Sequence, residues 1–297
     1  MTSLAIIIVN YNTKDILKDC LTNLLQVAPQ ETKITVVDNG STDGSAEMVG
    51  DAFPQSQFPQ IDLVRTQNNG LAAGYNLGMT HAQYPDYYLF MGTDAFPKPG
   101  CIHGVMDFLS QTPQAGIATA KLVLRSGKLD TDAHRGFPTP WTALTHFSGL
   151  NKVFPKSRLF NNYFLGWQDM AVPHEIYLCI SHFMLVKKEV FDKIGRWDED
   201  FFVYGEDVDL CWRTKQAGFK IYYLPQYECL HYKGVSVGTR KESLDVTKAD
   251  AKTKARMKSE TTRAMRLFYR KHMYNKYPWV INKLVDIGVN LVSKTRS

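Results

Sequence analysis

Short apolar runs alternate with amphipathic stretches along the first third of the chain. Leu4-Ala5-Ile6-Ile7-Ile8-Val9 is an unbroken β-rich run, the pattern of a strand covered on both faces. Asp15 to Val27 carries Ile16, Leu17, Cys20, Leu21, Leu24 and Leu25 at helical spacing. Lys33 to Val37 predicts a second strand, Thr42 to Gly50 a helix behind cap-like residues, and Ile61 to Arg65 a third strand. Leu71 to Gln83 predicts a helix and Tyr87 to Met91 a fourth strand. This rhythm predicts an α/β fold whose central sheet is mostly parallel, with helices on both faces.

In such sheets ligands sit beyond the carboxyl ends of the strands. Polar clusters fall there: Asn10-Tyr11-Asn12, Asp38-Asn39-Gly40-Ser41 and Gly92-Thr93-Asp94. Each alone reads as a turn or helix cap; three converging on one edge read as a site. Asn10, Asn12 and Asp38 offer amides and a carboxylate suited to a nucleobase edge. Asn69-Gly70-Leu71-Ala72-Ala73-Gly74-Tyr75-Asn76 opens a helix with small residues, so its N-terminus is open to a phosphate or sugar. It is neither a Walker loop nor a GxGxxG, which argues against ATPase and nicotinamide chemistry. A nucleotidyltransferase would need a basic Gly-rich loop after the first strand, and Val9 to Lys14 supplies none.

The rhythm breaks between residues 125 and 178, where Pro and aromatic residues accumulate, as in a lid or acceptor-side insertion. The stretch from Gly195 to His231 then sets Asp198, Glu199, Asp200, Glu206, Asp207 and Asp209 among Trp197, Phe201, Phe202, Tyr204 and Trp212. Burying a carboxylate costs several kcal/mol unless it is paired or bound to metal. A half-dry carboxyl also has its pKa raised, which suits a general base. The same acids suit the first turn of a helix. Both readings are taken together: Asp209 structural, Glu206 and Asp207 facing a cleft.

The tail differs again. Thr247 to Lys271 reads as a basic helix. Trp279, Ile281, Leu284, Val285, Gly288, Leu291 and Val292 then form an apolar stripe opposed by Asn282, Lys283, Asp286 and Asn290. Arg240 to Lys276 holds twelve Lys/Arg against four Asp/Glu, so it carries more than the whole net charge of +6. The body is near neutral, which argues against a nucleic-acid partner. The tail suits an anionic membrane surface, or packing on the body or on a second copy in a homodimer. The five scattered cysteines form no CxxC pair and read as free thiols. With no signal peptide and no spanning run expected, the location read from sequence is cytoplasmic, peripheral at the inner membrane face. The expected division is residues 1–238, with halves at 1–124 and 125–238, followed by a helical tail over 239–297.

In order along residues 3 to 235, these motifs resemble those of family two glycosyltransferases of the GT-A fold, in their bacterial rhamnosyltransferase-like branch. The motifs are Val9-Asn10-Tyr11-Asn12, Val36 to Ser45, Asn69-Gly70 through Gly78, and the block from Phe183 to His231. The resemblance implies a nucleotide-diphosphate-sugar donor, rhamnose as first guess, and a saccharide or lipid-linked acceptor. It also implies a divalent cation, Mn2+ or Mg2+, and inversion at the anomeric carbon. Carried over, Asp38 contacts the base while Val9, Asn10, Tyr11 and Asn12 line its pocket. Asn69, Gly70, Asn76 and Thr93 complete the donor side. Asp94 and His231 hold metal; Asp207 is the base, supported by Glu206. Trp197, Tyr204, Arg135 and His182 are expected on the acceptor side.

Two departures stand out. Gly92 occupies the place of the first Asp or Asn of the family's acidic turn. Ile180-Ser181-His182-Phe183 replaces the usual Gly-Ala-Phe, leaving His182 as an extra polar group read as tuning specificity or filling space. With a weakened turn, a non-catalytic sugar-nucleotide binder is the alternative.

Overall fold

The computed structural model describes residues 3–234 and 251–295. Its centre is a nine-stranded sheet built around β1 (Leu4–Asn10), whose apolar run is buried as its composition predicts. β2 (Lys33–Asp38), β3 (Ile61–Arg65) and β4 (Tyr87–Met91) join it in parallel in the order β3-β2-β1-β4. β5 (Ala95–Pro97) follows directly on the β4 turn. β6 (Ala115–Leu124), β7 (His134–Arg135), β8 (His174–Ile176), β9 (Leu178–Cys179), β10 (Phe183–Lys187) and β11 (Lys220–His231) complete the strands. β10 enters antiparallel between β4 and β6, β11 runs parallel to β6, and β5 closes the edge antiparallel to β11. β7 pairs with β9 in a separate ribbon.

Period-two alternation divides the core. Ile6 and Ile8 face α1 (Lys14–Val27), α2 (Ser45–Ala52) and α4 (Cys101–Gln111). Ala5 and Ile7 face α3 (Leu71–His81) and the core of the second half. α5 (Pro140–Phe147) and α6 (Leu150–Val153) lie in the aromatic insertion, which leaves Trp141, Leu144, Phe147, Val153, Phe154 and Leu159 exposed. α7 (Lys188–Ile194) and α8 (Glu206–Gln216) follow.

Boundaries differ from the sequence reading where side chains reclaim the backbone. α2 begins three residues after Thr42, because Asp43 accepts from Ser45 N and Lys14 N and holds the turn open. α3 ends before Gln83, where Gln83 and Tyr84 take positive φ. β11 slips its register against β6 between Leu224 and Glu228, so Pro225, Gln226 and Tyr227 bulge before pairing resumes toward His231.

The tail packs on the body. α9 (Ala251–His272) contributes Ala264, Phe268 and Tyr269, and the following Met273 adds to them, in the core around Trp197, Phe201 and Leu210. Lys271 bridges to Asp198 and Asp200, and His272 Nε2 meets Asp209 Oδ1 at 2.6 Å. α10 (Trp279–Thr295) reverses part of the expected faces. Asn282, expected on the polar side, is buried under Tyr269 Oη at 2.6 Å, whereas Leu284 and Leu291 are exposed with Trp279, Val280 and Ile287. The start of the expected basic stretch, from Arg240 to Asp250, lies outside the described residues. Among the described residues no helix is long and apolar enough to cross a membrane.

Candidate active site

The parallel register aligns Asn10 with Asp38 at the carboxyl ends of β1 and β2. Asn10 Nδ2 donates to Asp38 Oδ1 at 2.9 Å and Ser41 Oγ at 3.0 Å, while its Oδ1 accepts from Thr13 Oγ1 at 2.6 Å. Ser41 N donates to Asp38 Oδ2 at 3.1 Å, and Thr13 Oγ1 lies 3.1 Å from the buried Thr93 Oγ1. Asn12, at φ 53, accepts from Thr42 N at 2.7 Å. This corrects the expectation for Asn10: it is fully buried and its amide serves Asp38, so it is withdrawn from a base edge. Tyr11 is exposed beside it, and Val9 packs on α3 at Gly74.

The small residues opening α3 serve packing too. Gly70 has φ +98, and a Cβ there would lie 2.5 Å from Phe202 O. Leu71 N donates to that same oxygen at 2.6 Å, so the helix start is closed by the chain rather than open to phosphate. Asn76 donates to Trp197 O at 2.9 Å and to Glu199 Oε1 at 2.7 Å, and accepts from Trp197 N at 3.1 Å. Trp197 itself is 3% exposed between Tyr75 and Phe90, which corrects its expected place against a sugar. The exposed Asn69 shares a hollow of about 350 Å³ with Asn76, Arg196 and Glu199. That hollow contains none of Asp94, Glu206, Asp207 or His231.

A second cluster forms where β4, β10 and β11 meet. β11 pairs His231 with Ala95, and Tyr232 N donates to Asp94 O at 2.8 Å. Gly92 N reaches His182 O at 3.4 Å as β10 begins. His231 Nε2 lies 3.8 Å from Asp94 Oδ2, and His182 Nε2 lies 3.6 Å from Asp94 Oδ1. His182 therefore stands in this cluster rather than at the expected acceptor position.

Behind it, His231 Nδ1 meets Asp130 Oδ2 at 2.8 Å, and Lys233 Nζ reaches Asp130 Oδ1 at 2.5 Å and Asp132 Oδ2 at 2.6 Å. Burial alone would raise the Asp130 carboxyl, yet hydrogen bonds from His231 and Lys233 hold it below the usual range. Burial, then the His231 imidazole, lowers His182 to about 4. Asp130 was missed as a functional candidate: it lies 101 residues from His231, with no local motif linking them.

The acid pair forms the first two residues of α8, directly after Gly205. Asp209 is structural, as expected: its Oδ2 accepts from Arg213 Nε at 2.7 Å and its Oδ1 faces His272. Glu206 and Asp207 are buried, and Asp207 Oδ1 accepts from Val208 N at 2.8 Å. Burial, then the Asp207 charge, pushes Glu206 well above the carboxylate range. Burial also raises Asp207, against the lowering charge of Arg135. Arg135 is held by Tyr163 Oη at 2.8 Å on the β7–β9 ribbon. Tyr204 stands half-buried ahead of the pair at φ 66. Burial raises the Tyr75 phenol, and the charges of Glu206, Asp207 and Asp94 add to that shift. Its hydroxyl reaches Ser181 O at 3.4 Å, beside His182.

Known proteins share this arrangement of strands. The chain is 27% identical over 249 residues to the N-acetylglucosaminyl-diphospho-decaprenol L-rhamnosyltransferase of Mycobacterium tuberculosis (strain CDC 1551 / Oshkosh), covering 79% of this chain and 78% of that protein. It is 25% identical to the rhamnosyltransferase WbbL of Escherichia coli (strain K12), covering 76% and 82%. The structure matches GalNAc-T7 crystallised with UDP, GalNAc and Mn2+ at a TM-score of 0.60 and 12% identity, over 90% of this chain and 48% of that one. That likeness places the fold among GT-A structures. The family description "Glycosyl transferase family 2" matches residues 5–195, well over half of the sequence, and the chain belongs to that family.

Proposed function

We propose that this chain transfers a sugar, rhamnose as first candidate, from a nucleotide diphosphate to a hydroxyl of a saccharide or lipid-linked saccharide, with inversion. The observation that carries the reading is the buried Asp94 carboxylate with His231 Nε2 3.8 Å away at the strand ends, together with the buried Glu206-Asp207 pair at the start of α8. Both Asp94 oxygens and His231 Nε2 are buried without a hydrogen-bond partner, a donor set that fits a divalent cation such as Mn2+ or Mg2+. Held by Asp94 and His231, the cation supplies charge neutralisation to the leaving nucleotide diphosphate.

The rest falls to side chains. Asp207 accepts the proton of the attacking hydroxyl, and its burial raises its affinity for that proton. The Arg135 charge opposes the upward push of burial on Asp207, while burial and the Asp207 charge raise Glu206. Asp38 and the exposed Tyr11 face the nucleoside from the ends of β1 and β2, with Asn10 and Ser41 fixing the carboxylate. Names of relatives that act on a diphospho-decaprenol or on rhamnose support this donor and acceptor choice. The exposed apolar residues of the insertion and of α10 support a peripheral place on the cytoplasmic membrane face, where a lipid-linked acceptor resides.

In a transfer assay with thymidine-diphosphate rhamnose and a lipid-linked acceptor, Asp207→Asn retains donor binding and loses about 10³-fold in turnover. Unimpaired transfer by that variant refutes the assignment, and donor binding without any transfer by the native chain favours a non-catalytic binder.

A further inference from the structure

The family resemblance supplies Asp94 and His231; it says nothing of His182. We propose that His182 is a third protein ligand to the cation, occupying the space vacated by the missing acid at position 92, so that the chain binds the metal before any nucleotide arrives. The inference rests on the proposed metal site and extends it.

Four observations carry it. Asp94, His182 and His231 are the one group of three metal-ligating residues found together among the described residues, one ligand atom of each lying within 4.8 Å of the others. The 3.6 Å and 3.8 Å approaches of the imidazoles to Asp94 are too long for hydrogen bonds. Two atoms sharing one ion at about 2.1 Å span roughly 3–4.2 Å, and both approaches fall inside that interval. The two imidazoles address different oxygens of one carboxylate, with ring centroids 4.5 Å apart and planes crossed at 51°. Asp94 is 0% exposed, and its two oxygens and His231 Nε2 lack hydrogen-bond partners. Leaving such groups unpaired costs about 1–3 kcal/mol each, a penalty that a cation removes.

Position 92 explains why the histidine is there. A Cβ on Gly92 would lie 2.7 Å from His182 Cδ2 and 2.8 Å from Asp94 Oδ1. Real Cβ atoms do not approach this closely, so a side chain at 92 would have to push aside the imidazole at 182 or the Asp94 carboxylate. The two departures from the family pattern are thus one exchange: an acid is lost from the turn, and an imidazole enters from β10. Replacing a carboxylate oxygen by nitrogen turns the site from the oxygen set that suits Mg2+ toward borderline cations such as Mn2+ or Co2+. Asp130 behind His231 Nδ1 fixes that ring for ligation through Nε2.

The test uses the full chain and Mn2+ alone. Calorimetry and Mn2+ EPR without nucleotide are expected to show one site that excess Mg2+ displaces poorly, with two coordinated imidazoles in pulsed EPR of ¹⁵N-histidine-labelled protein. His182→Ala should weaken Mn2+ by about tenfold or more and show one imidazole, while melting in EDTA like the native chain. The exchange Gly92→Asp with His182→Ala should recover binding with a shift toward Mg2+. Equal Mn2+ affinity and one imidazole in both native and His182→Ala proteins overturn the third ligand and leave the Asp94–His231 site standing. Failure of the native chain to take up Mn2+ even with a nucleotide diphosphate overturns the site itself.

Discussion

Two buried polar clusters stand at neighbouring strand ends, and they treat their hydrogen bonds in opposite ways. Around Asn10 and Asp38 the amide donor, the amide oxygen and both carboxylate oxygens have partners within 3.1 Å. Around Asp94 and His231 the inward-facing atoms have none. Burial is equally deep in both, so burial does not separate them. Satisfaction does: the closed network fixes the strand ends, and the open one is the place where a cation is proposed.

The contrast breaks most visibly on the open side. Asp94→Asn should lower transfer by about 10²–10³-fold while leaving the urea midpoint in EDTA unchanged or higher, because it removes a buried charge without a partner. A collapse of the fold in this variant would show that the cluster is structural after all. On the closed side, Asn10→Ala strands Asp38 and should cost about 1–3 kcal/mol in urea denaturation, and it should also weaken donor binding by loosening the carboxylate proposed to face the nucleoside.

Arg135 sharpens the comparison for the acid pair. Its cation lowers the Asp207 pKa, so Arg135→Met raises it. In its proposed role as base Asp207 must be ionised, so the acidic limb of the kcat/KM profile should move to higher pH; an unmoved limb would detach Arg135 from the proposed base. The smallest effect on folding belongs to the surface. Leu284→Glu on α10 should change stability by less than about 0.5 kcal/mol, yet reduce flotation with anionic vesicles. Cutting the chain at 240 is a poorer probe, since α9 would take Phe268 and Tyr269 out of the core.

Much of the parallel half is legible in sequence because its signals are local. The runs at 4–9 and 33–37 are strands because they bury β-branched residues on two faces, 87–91 buries aromatic and long apolar side chains on both faces, and 61–65 is a half-buried edge strand. The site is half legible. Asp94, His231 and the acid pair announce themselves by residue type, but Asp130 and His182 join them through strand pairings that no spacing encodes. Trp197 misleads because an aromatic among acids looks the same whether it meets a sugar or fills a core. The glycines at 70 and 74 mislead likewise: room for a ligand and room for a neighbouring backbone have one signature. The faces of α10 depend on where α9 lies, and periodicity alone does not say which side meets it.

The bulge at residues 225–227 makes the position of His231 a matter of counting. Side chains alternate along a strand, so deleting one of those three residues and letting the end of β11 slip one place along β6 would turn every later residue over. His231 would then point away from Asp94 although no ligand had been altered. Chain length in this short segment is therefore as much a determinant of the imidazole's aim as its identity.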